Sequence, residues 1–436
     1  MAPRYSISRR VRRAVIVDAN STGKALAPEL LRFGVRSVHV QSLPVLPEPV
    51  PLADFERHFQ LHGDVGALVA ELAPLAPEFV IAGCEHGVLL ADALSERLGL
   101  PGNGTARSLP RRNKQRLAEL LSDHGLRAVP SIEVASADEA EAAAVGQCPV
   151  VVKPVDSSSS EGLYFCADAA EVRHAAAALL GRVNFMSSRN HTVLVQRRII
   201  GQQYYLLAVS RDGRHFFSEV WIDHRQTVPG AGVVCDLSML LPPEGAVQDE
   251  LRGYAGRCLD AAGIRIGPSF LEIILTAAGP VLIDLGARMM GTQDFDVIES
   301  VLESSQRQLT AACYADPAAF AARTAQPCQA RCGLWVITLI NRHVGRLVDD
   351  SWRDRLAALP SFRGIYGAPQ REQILQQTVD EITGCGAIFL AHDDADQLER
   401  DYRAIRALEA HGRLFRLEPL RDDEPAAALR PRAAGW

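Results

Sequence analysis

The chain has 436 residues, 47% of them hydrophobic and 22% charged, with 46 Lys and Arg against 52 Asp and Glu for a formal net charge of −6. That length suits two to four domains of roughly 100–200 residues and a cleft between them. The acidic balance argues against a nucleic-acid partner, which needs clustered Lys and Arg, and no apolar run reaches the ~18 residues that span a bilayer, so no membrane partner is expected either.

Arg4, Arg9, Arg10, Arg12 and Arg13 precede a short strand pattern rather than an apolar signal core, and read as a basic tail. Residues 14–18 (AVIVD) form an apolar run ending in Asn20 and Ser21; a helical stretch through Leu31 and Gly34 and a second apolar run at 35–40 complete a β-α-β opening. Phe79–Ala82 (FVIA) and a helix over 88–98 repeat the pattern, which makes residues 1–110 an open parallel-sheet domain whose strand ends face a cleft. A helix over 112–124, a strand at 131–134 and an Ala/Glu-rich helix at 138–144 begin a small α+β unit assigned to residues 111–195.

From Val150 the character changes to antiparallel hairpins (VVVKP, LYFC, TVLVQRRI, QYYLLAVS, HFFSEVW), with a helix near 249–262 ahead of the hairpin SFLEIIL/PVLIDLGAR. Strands LWVITLI and GAIFLAH and a final helix at 394–411 follow, so residues 196–425 are assigned to an α+β domain with an antiparallel sheet. The fold class is therefore α/β. Nine cysteines, an odd number without regular spacing, indicate reduced thiols and a cytoplasmic protein, and Cys328 with Cys332 lacks the second pair or histidine that zinc requires.

Three segments can carry chemistry. With a turn at Thr276–Gly279, Glu272 and Asp284 stand nearly opposite each other, and alternation puts Glu272, Asp284, Gly286 and Arg288 on one face. Opposed acids are tolerated where Mg²⁺ and its phosphate ligands lie between them; otherwise this is an ordinary charged strand face. Lys153 ends an apolar strand and is followed by Pro154 and the loop DSSSSEG (156–162), whose N–H and hydroxyl groups can cover phosphates or can simply face solvent. Ser21-Thr22-Gly23-Lys24 resembles a phosphate-binding loop, but Asp18 and Ala25 stand where that motif needs Gly and Ser or Thr, so Ser21 or Thr22 reads as a helix cap.

Taken in order, VVVKPVDSSSSEG (150–162), VQRRIIGQQYYL (195–206) and FLEIILTAAGPVLIDLGARMMG (270–291) resemble the ATP-grasp superfamily. The opening AVIVDANSTGKALAPELLRFG and CEHGVLLADALSERLGLPGN resemble the pre-ATP domain of its carboxylate-amine ligases, in particular L-amino-acid ligases that make dipeptides or dipeptide-like antibiotics. The resemblance implies an ATP-grasp architecture: a pre-ATP domain, a central lid and a C-terminal domain. It implies ATP and Mg²⁺ (or Mn²⁺) as cofactors, and activation of an amino-acid carboxylate as an acyl phosphate that an amine then captures. Lys114 and Lys153 match the nucleotide lysines, and Ser157, Ser158, Ser159, Ser160 and Gly162 the phosphate-covering loop. Gln196, Arg197 and Ile199 fall on the adenine hinge and Gln203 at the ribose position. Glu272 and Asp284 match the metal carboxylates, and Arg288 the arginine that stabilises the acyl phosphate or a substrate carboxylate.

The chain departs from the family pattern at Arg197, where the hinge is usually acidic, at Gln203 and Asp284, where glutamate is commoner, at Gly286 in place of asparagine, and at Phe270 in place of histidine. Glu85, at a strand end, is a candidate for a substrate ammonium, and Asp223, His224 and Arg225, after the strand HFFSEVW, are candidates for substrate specificity. The expected partners are a small carboxylate and a small amine, with a homodimer as a further expectation. The alternatives are an acyl carrier protein thiol as acceptor, or a degenerate nucleotide-binding module without turnover. A nicotinamide oxidoreductase is disfavoured because no G-x-G-x-x-G follows the first strand.

Overall fold

The computed structural model describes residues 11–46, 48–157, 161–184, 186–228, 232–380 and 383–420. The basic tail before Val11, Ser158, Ser159 and Ser160, and the acidic end after Asp422 lie outside the described residues.

The first domain is built on a parallel sheet ordered Arg57–Gln60, Val35–Gln41, Arg12–Val17, Phe79–Ala82. Ala14 and Ile16 point to one face, against Leu26, Leu30 and the helix Gln306–Ala315, while Val15 and Val17 point to the other, against Leu68, Leu90 and Leu94. Burial of both faces explains why these strands read as continuous apolar runs rather than alternating ones. Truncating the fully buried Ile16 to Ala is expected to cost ~2–5 kcal/mol. The edge strand Arg57–Gln60 (RHFQ) was not legible in the sequence: it is polar and largely uncovered, so no apolar pattern marks it.

The small central unit is a four-stranded antiparallel sheet ordered Ser131–Val134, Val193–Arg197, Val150–Pro154, Tyr164–Cys166. Helices Ala137–Ala144 and Ala169–Leu179 cover the face that carries Val150 and Val152. Each starts at a side-chain cap: Ser136 accepts from the Glu139 N–H, and Asp168 from the Glu171 N–H. Strand alternation then directs Lys153 to the opposite face, where Lys114, Asp284 and Glu272 lie within electrostatic reach. The boundary expected at 195/196 falls inside the strand Val193–Arg197, which pairs wholly within this unit, so the chain leaves it after Arg197.

The third part is an eight-stranded antiparallel sheet ordered Gly279–Gly286, Gly267–Thr276, Gln202–Arg211, Arg214–Val228, Gly232–Leu240, Gly333–Thr338, Ala387–His392, Phe362–Tyr366. Helix Ala246–Ala261 packs Leu251, Tyr254, Ala255, Cys258 and Leu259 on one face of it. The strand expected to end at Trp221 runs on to Val228, so Asp223, His224 and Arg225 lie within it rather than after it. A buried polar side chain at Asp223 interrupted the apolar alternation that would have shown this. A three-stranded sheet of short segments, Ile374–Leu375, Gly345–Leu347 and Leu417–Glu418, closes the C-terminal side. Among the described residues no helix is long and apolar enough to cross a membrane.

Candidate functional site

A cavity of about 440 Å³ opens where the three parts meet. Its N-terminal wall consists of the loops that leave the carboxyl ends of Arg12–Val17 and Phe79–Ala82, bearing Asn20, Ser21, Thr22, Cys84, Glu85 and His86. Strand order diverges between these two neighbours, which is where open parallel sheets place ligands. The loops touch backbone to backbone: a Cβ on Gly83 would lie 2.6 Å from the Asp18 carbonyl oxygen, and one on Gly87 2.6 Å from that of Val17. Glycine is what permits the approach. Ser21–Ala25 is a single 3₁₀ turn whose N-cap is Asn20, without a side-chain cap hydrogen bond, so the cap expected from Ser21 or Thr22 is not formed.

On the opposite wall Glu272 and Asp284 face each other directly. A regular ladder from the Thr276–Gly279 turn would set Glu272 opposite Ile283; a register shift next to Glu272 leaves Ile283 unpaired and brings Asp284 into line. Gln203 Nε2 donates to Glu272 Oε2 at 3.2 Å, while Lys114 Nζ lies 3.5 Å from Asp284 Oδ1 and donates to the Ser157 carbonyl at 2.7 Å. Lys114 opens the helix Lys114–Asp123, capped by the Asn113 carboxamide, so the helix starts two residues later than expected and Arg112 precedes it. Burial, reinforced by Lys114, lowers the Lys153 ammonium to about 8 against the opposing pull of Asp284 and Glu272.

Arg288 is held on three sides. Its Nε donates to Glu85 Oε2 at 2.7 Å, its Nη1 to the Met289 carbonyl at 2.8 Å, and its guanidinium carbon lies 4.4 Å from the centroid of the Phe270 ring. Phe270 fits there because residue 286 is glycine: a Cβ on Gly286 would come within 2.0 Å of the ring. Glu85 is shared, its Oε1 accepting from Arg112 Nη1 at 2.5 Å, and Arg112 Nη2 reaches Asp156 Oδ1 at 2.6 Å. Burial would raise the Glu85 carboxyl, but the two guanidiniums outweigh it and hold it down at about 2.

One cavity thus brings together Glu85, Lys114, Ser157, Gln203, Asp223, Glu272, Asp284 and Arg288. His224 is not among its lining residues, as expected one position along a strand from Asp223. Asp223 is buried and saturated, accepting from Arg225 Nε, Ser238 Oγ and Cys235 Sγ. Gln196 is buried within the small sheet, Arg197 is exposed and Ile199 half-buried, and none of the three lines the cavity. Gly162 has φ +66° and packs against Pro154 and Leu179, so backbone conformation and crowding both demand glycine there. Arg112, Tyr205, Cys235, Ser238 and Tyr366 also line the cavity and were missed; the position of Arg112 beside Lys114 was the one available signal.

The site can hold a divalent cation with polyphosphate. Among the described residues no three His, Cys, Asp or Glu side chains cluster as metal ligands, so a cation between Glu272 and Asp284 would draw its remaining oxygens from phosphate and water, as Mg²⁺ does. Two lysines beside those carboxylates suit the phosphates. All nine cysteines are free, and burial pushes the Cys84 thiol up to about 12, so this cavity thiol is no ready nucleophile.

No family model matches the chain. It is 30% identical over 407 residues to dapdiamide A synthase of Enterobacter agglomerans, spanning 91% of this chain and 95% of that protein. Among solved structures, an L-amino acid ligase from Bacillus licheniformis superposes with TM-score 0.71 at 16% identity, covering 95% of this chain and all of the other. The carboxyaminoimidazole ribonucleotide synthase of Aspergillus clavatus, complexed with ATP, gives 0.67 at 13% identity, covering 92% and 99%. With that relative matched along nearly its whole length and this fold around opposed carboxylates, the chain belongs to the ATP-grasp carboxylate-amine ligases and is an ATP-dependent enzyme of that class.

Proposed function

We propose that the cavity joins two amino acids, activating the carboxyl group of one and coupling it to the amino group of the other, with ATP as the phosphoryl donor. The observation that carries this reading is the convergence of Glu272, Asp284, Lys114 and Arg288 on one cavity, with Lys153 beside them, large enough for a dipeptide next to a nucleotide triphosphate end. Similarity to a dapdiamide A synthase and to an L-amino acid ligase supports amino acids as the substrates.

In the first step a carboxylate oxygen attacks the γ-phosphorus, the bond to ADP breaks and an acyl phosphate forms. In the second the amine nitrogen attacks the carbonyl carbon, inorganic phosphate leaves and the amine proton passes to it or to water. Lys114 and Lys153 hold the phosphates, Arg288 meets the charge developing on the activated carboxyl, and Gln203 offers a neutral hydrogen-bonding partner to a ribose hydroxyl. Glu272 and Asp284 would hold Mg²⁺, which supplies charge neutralisation between the phosphates. Gln196, Arg197 and Ile199 are assigned to the adenine side, and Ser157 with the following serines and Gly162 to the phosphates. Asp223 holds Arg225 at the far wall, where the pair fixes the polarity of a substrate side chain.

The test is release of ADP and phosphate from MgATP across a matrix of paired amino acids, with products weighed by mass spectrometry. The expected product mass is the two acids minus water, dependent on both partners. Absence of any ADP release, with nucleotide bound in calorimetry, would overturn amino acids as the substrates.

A further inference from the structure

We propose that Arg112 is a positioning residue for the ligation step, clamping Glu85 so that Glu85 fixes the guanidinium of Arg288 at the reacting carboxyl group. This rests on the role given to Arg288 above, but nothing in that role assigns Arg112 or makes Glu85 its support.

The geometry is a chain of charges crossing three parts of the fold. Asp156 follows the strand Val150–Pro154 of the small sheet, Arg112 lies in the connection before the helix Lys114–Asp123, Glu85 is on the loop after Phe79–Ala82, and Arg288 follows the hairpin strand Gly279–Gly286. The contacts run Asp156 Oδ1 to Arg112 at 2.6 Å, Arg112 to Glu85 Oε1 at 2.5 Å, and Glu85 Oε2 to Arg288 Nε at 2.7 Å. Arg112, Glu85 and Arg288 have side-chain exposures of 8%, 13% and 14%, while Asp156 is at 42%, so the clamp is enclosed except at its outer end. Two cations and two carboxylates leave the cluster neutral, which makes it tolerable at this depth.

Each Glu85 oxygen has one guanidinium, so the carboxylate cannot rotate toward solvent without breaking a charge-assisted bond. With Nε and Nη1 of Arg288 committed to Glu85 and Met289 and its face resting on Phe270, the guanidinium enters the reaction already oriented. Orientation of this kind raises kcat rather than ground-state affinity. Arg112 also needs its fork: a lysine in its place offers one point charge, which can satisfy Glu85 or Asp156 but not the pair.

The experiment measures kcat and the KM for ATP, with the best amino-acid pair, in Arg112→Gln, Arg112→Lys, Glu85→Gln, Arg288→Lys and the double variant Arg112→Gln/Arg288→Lys. Arg112→Gln should lower kcat by ~10–100-fold, the range for groups that support a reacting residue, while the KM for ATP moves less than about twofold. Arg112→Lys should recover only part of the loss, and Glu85→Gln should reproduce it. The decisive quantity is the cycle: if Arg112 acts through Arg288, the double variant is within about threefold of Arg288→Lys alone. Losses that multiply, or a KM for ATP that rises as much as kcat falls, overturn the proposal. Should Arg112→Gln fold poorly, Glu85→Gln, which keeps the shape of its side chain, carries the same cycle. A wild-type protein that forms no amide, or an Arg288→Lys variant with undiminished kcat, defeats the functional reading itself, an outcome separate from a wild type that turns over while the cycle is additive.

Discussion

Substituting Gly286 by alanine places a methyl group 2.0 Å from Cε1 and 2.7 Å from Cδ1 of Phe270, where contact distance is ~3.5 Å, so the ring must retreat by about 1.5 Å. Phe270 is 6% exposed and packed in a cluster with Tyr205, Leu207 and Trp221, so the ring can retreat only towards the cavity it lines, away from these contacts. Overpacking of this kind costs ~1–3 kcal/mol of stability. The displaced ring is also the platform under Arg288, and loss of a cation–π contact of ~0.5–2 kcal/mol corresponds to about 2- to 30-fold in kcat. Urea unfolding and steady-state ADP release measure the two effects separately. Adding Phe270→Leu should restore most of the urea midpoint by relieving the crowding, yet leave kcat low because leucine offers no aromatic face. An unchanged midpoint in Gly286→Ala, or a double variant less stable than the single one, would refute the reasoning.

Three further outcomes follow from the site. Because the folded protein holds Lys153 at about 8, below its ordinary 10.5, binding of MgATP near pH 8 should take up about half a proton and near pH 6 almost none; calorimetry in buffers of different ionisation enthalpy reads this, and Lys153→Met should abolish it. Glu85, held at about 2 and so below its ordinary value, favours the folded state above pH ~4.3 and loses that contribution only as the pH falls towards 2; wild-type urea midpoints should therefore show no Glu85 dependence from pH 5 to 8, whereas Arg112→Gln removes one of the two guanidiniums that oppose burial, so its midpoint should fall furthest below wild type on the alkaline side and recover towards it as the pH drops, and parallel profiles would contradict the clamp. Glu272→Gln should lower ADP release by at least ~10–100-fold while the urea midpoint without ligand holds or rises, since one of two opposed carboxylates is neutralised; a midpoint that falls with the activity would mark Glu272 as structural.

Much of the architecture was legible where burial is one-sided or complete. Val15, Val17 and Ile81 sit in strands covered on both faces, so their runs announced a parallel sheet; a regular ladder from the Thr276–Gly279 turn, by contrast, sets Glu272 opposite Ile283 and turns Asp284 to the other face, and only the bulge brings the two acids to one side. The pairing itself was not legible, because it depends on the bulged Ile283, and a bulge leaves no mark in residue type. Asp223 escaped assignment to a strand because its cost of burial is offset by Arg225, Ser238 and Cys235, one of them 15 residues away along the chain. Arg112 was invisible as a site residue for a similar reason: its partners Glu85 and Asp156 lie 27 and 44 positions away, and only the fold makes them neighbours. Phe270 and Gly286 are sterically coupled, since the ring fills the volume that any side chain at 286 would need.

The account stands on activation of a carboxyl group by phosphoryl transfer in the cavity between Glu272, Asp284 and Arg288. The most direct measurement supplies the amino-acid donor with ¹⁸O in both carboxyl oxygens and follows the label by mass spectrometry during amide formation. One ¹⁸O in each phosphate released per amide formed, with the second retained in the product, is the predicted result. Unlabelled phosphate, or label recovered in AMP, would mean that the carboxyl group is activated in another way or not at all.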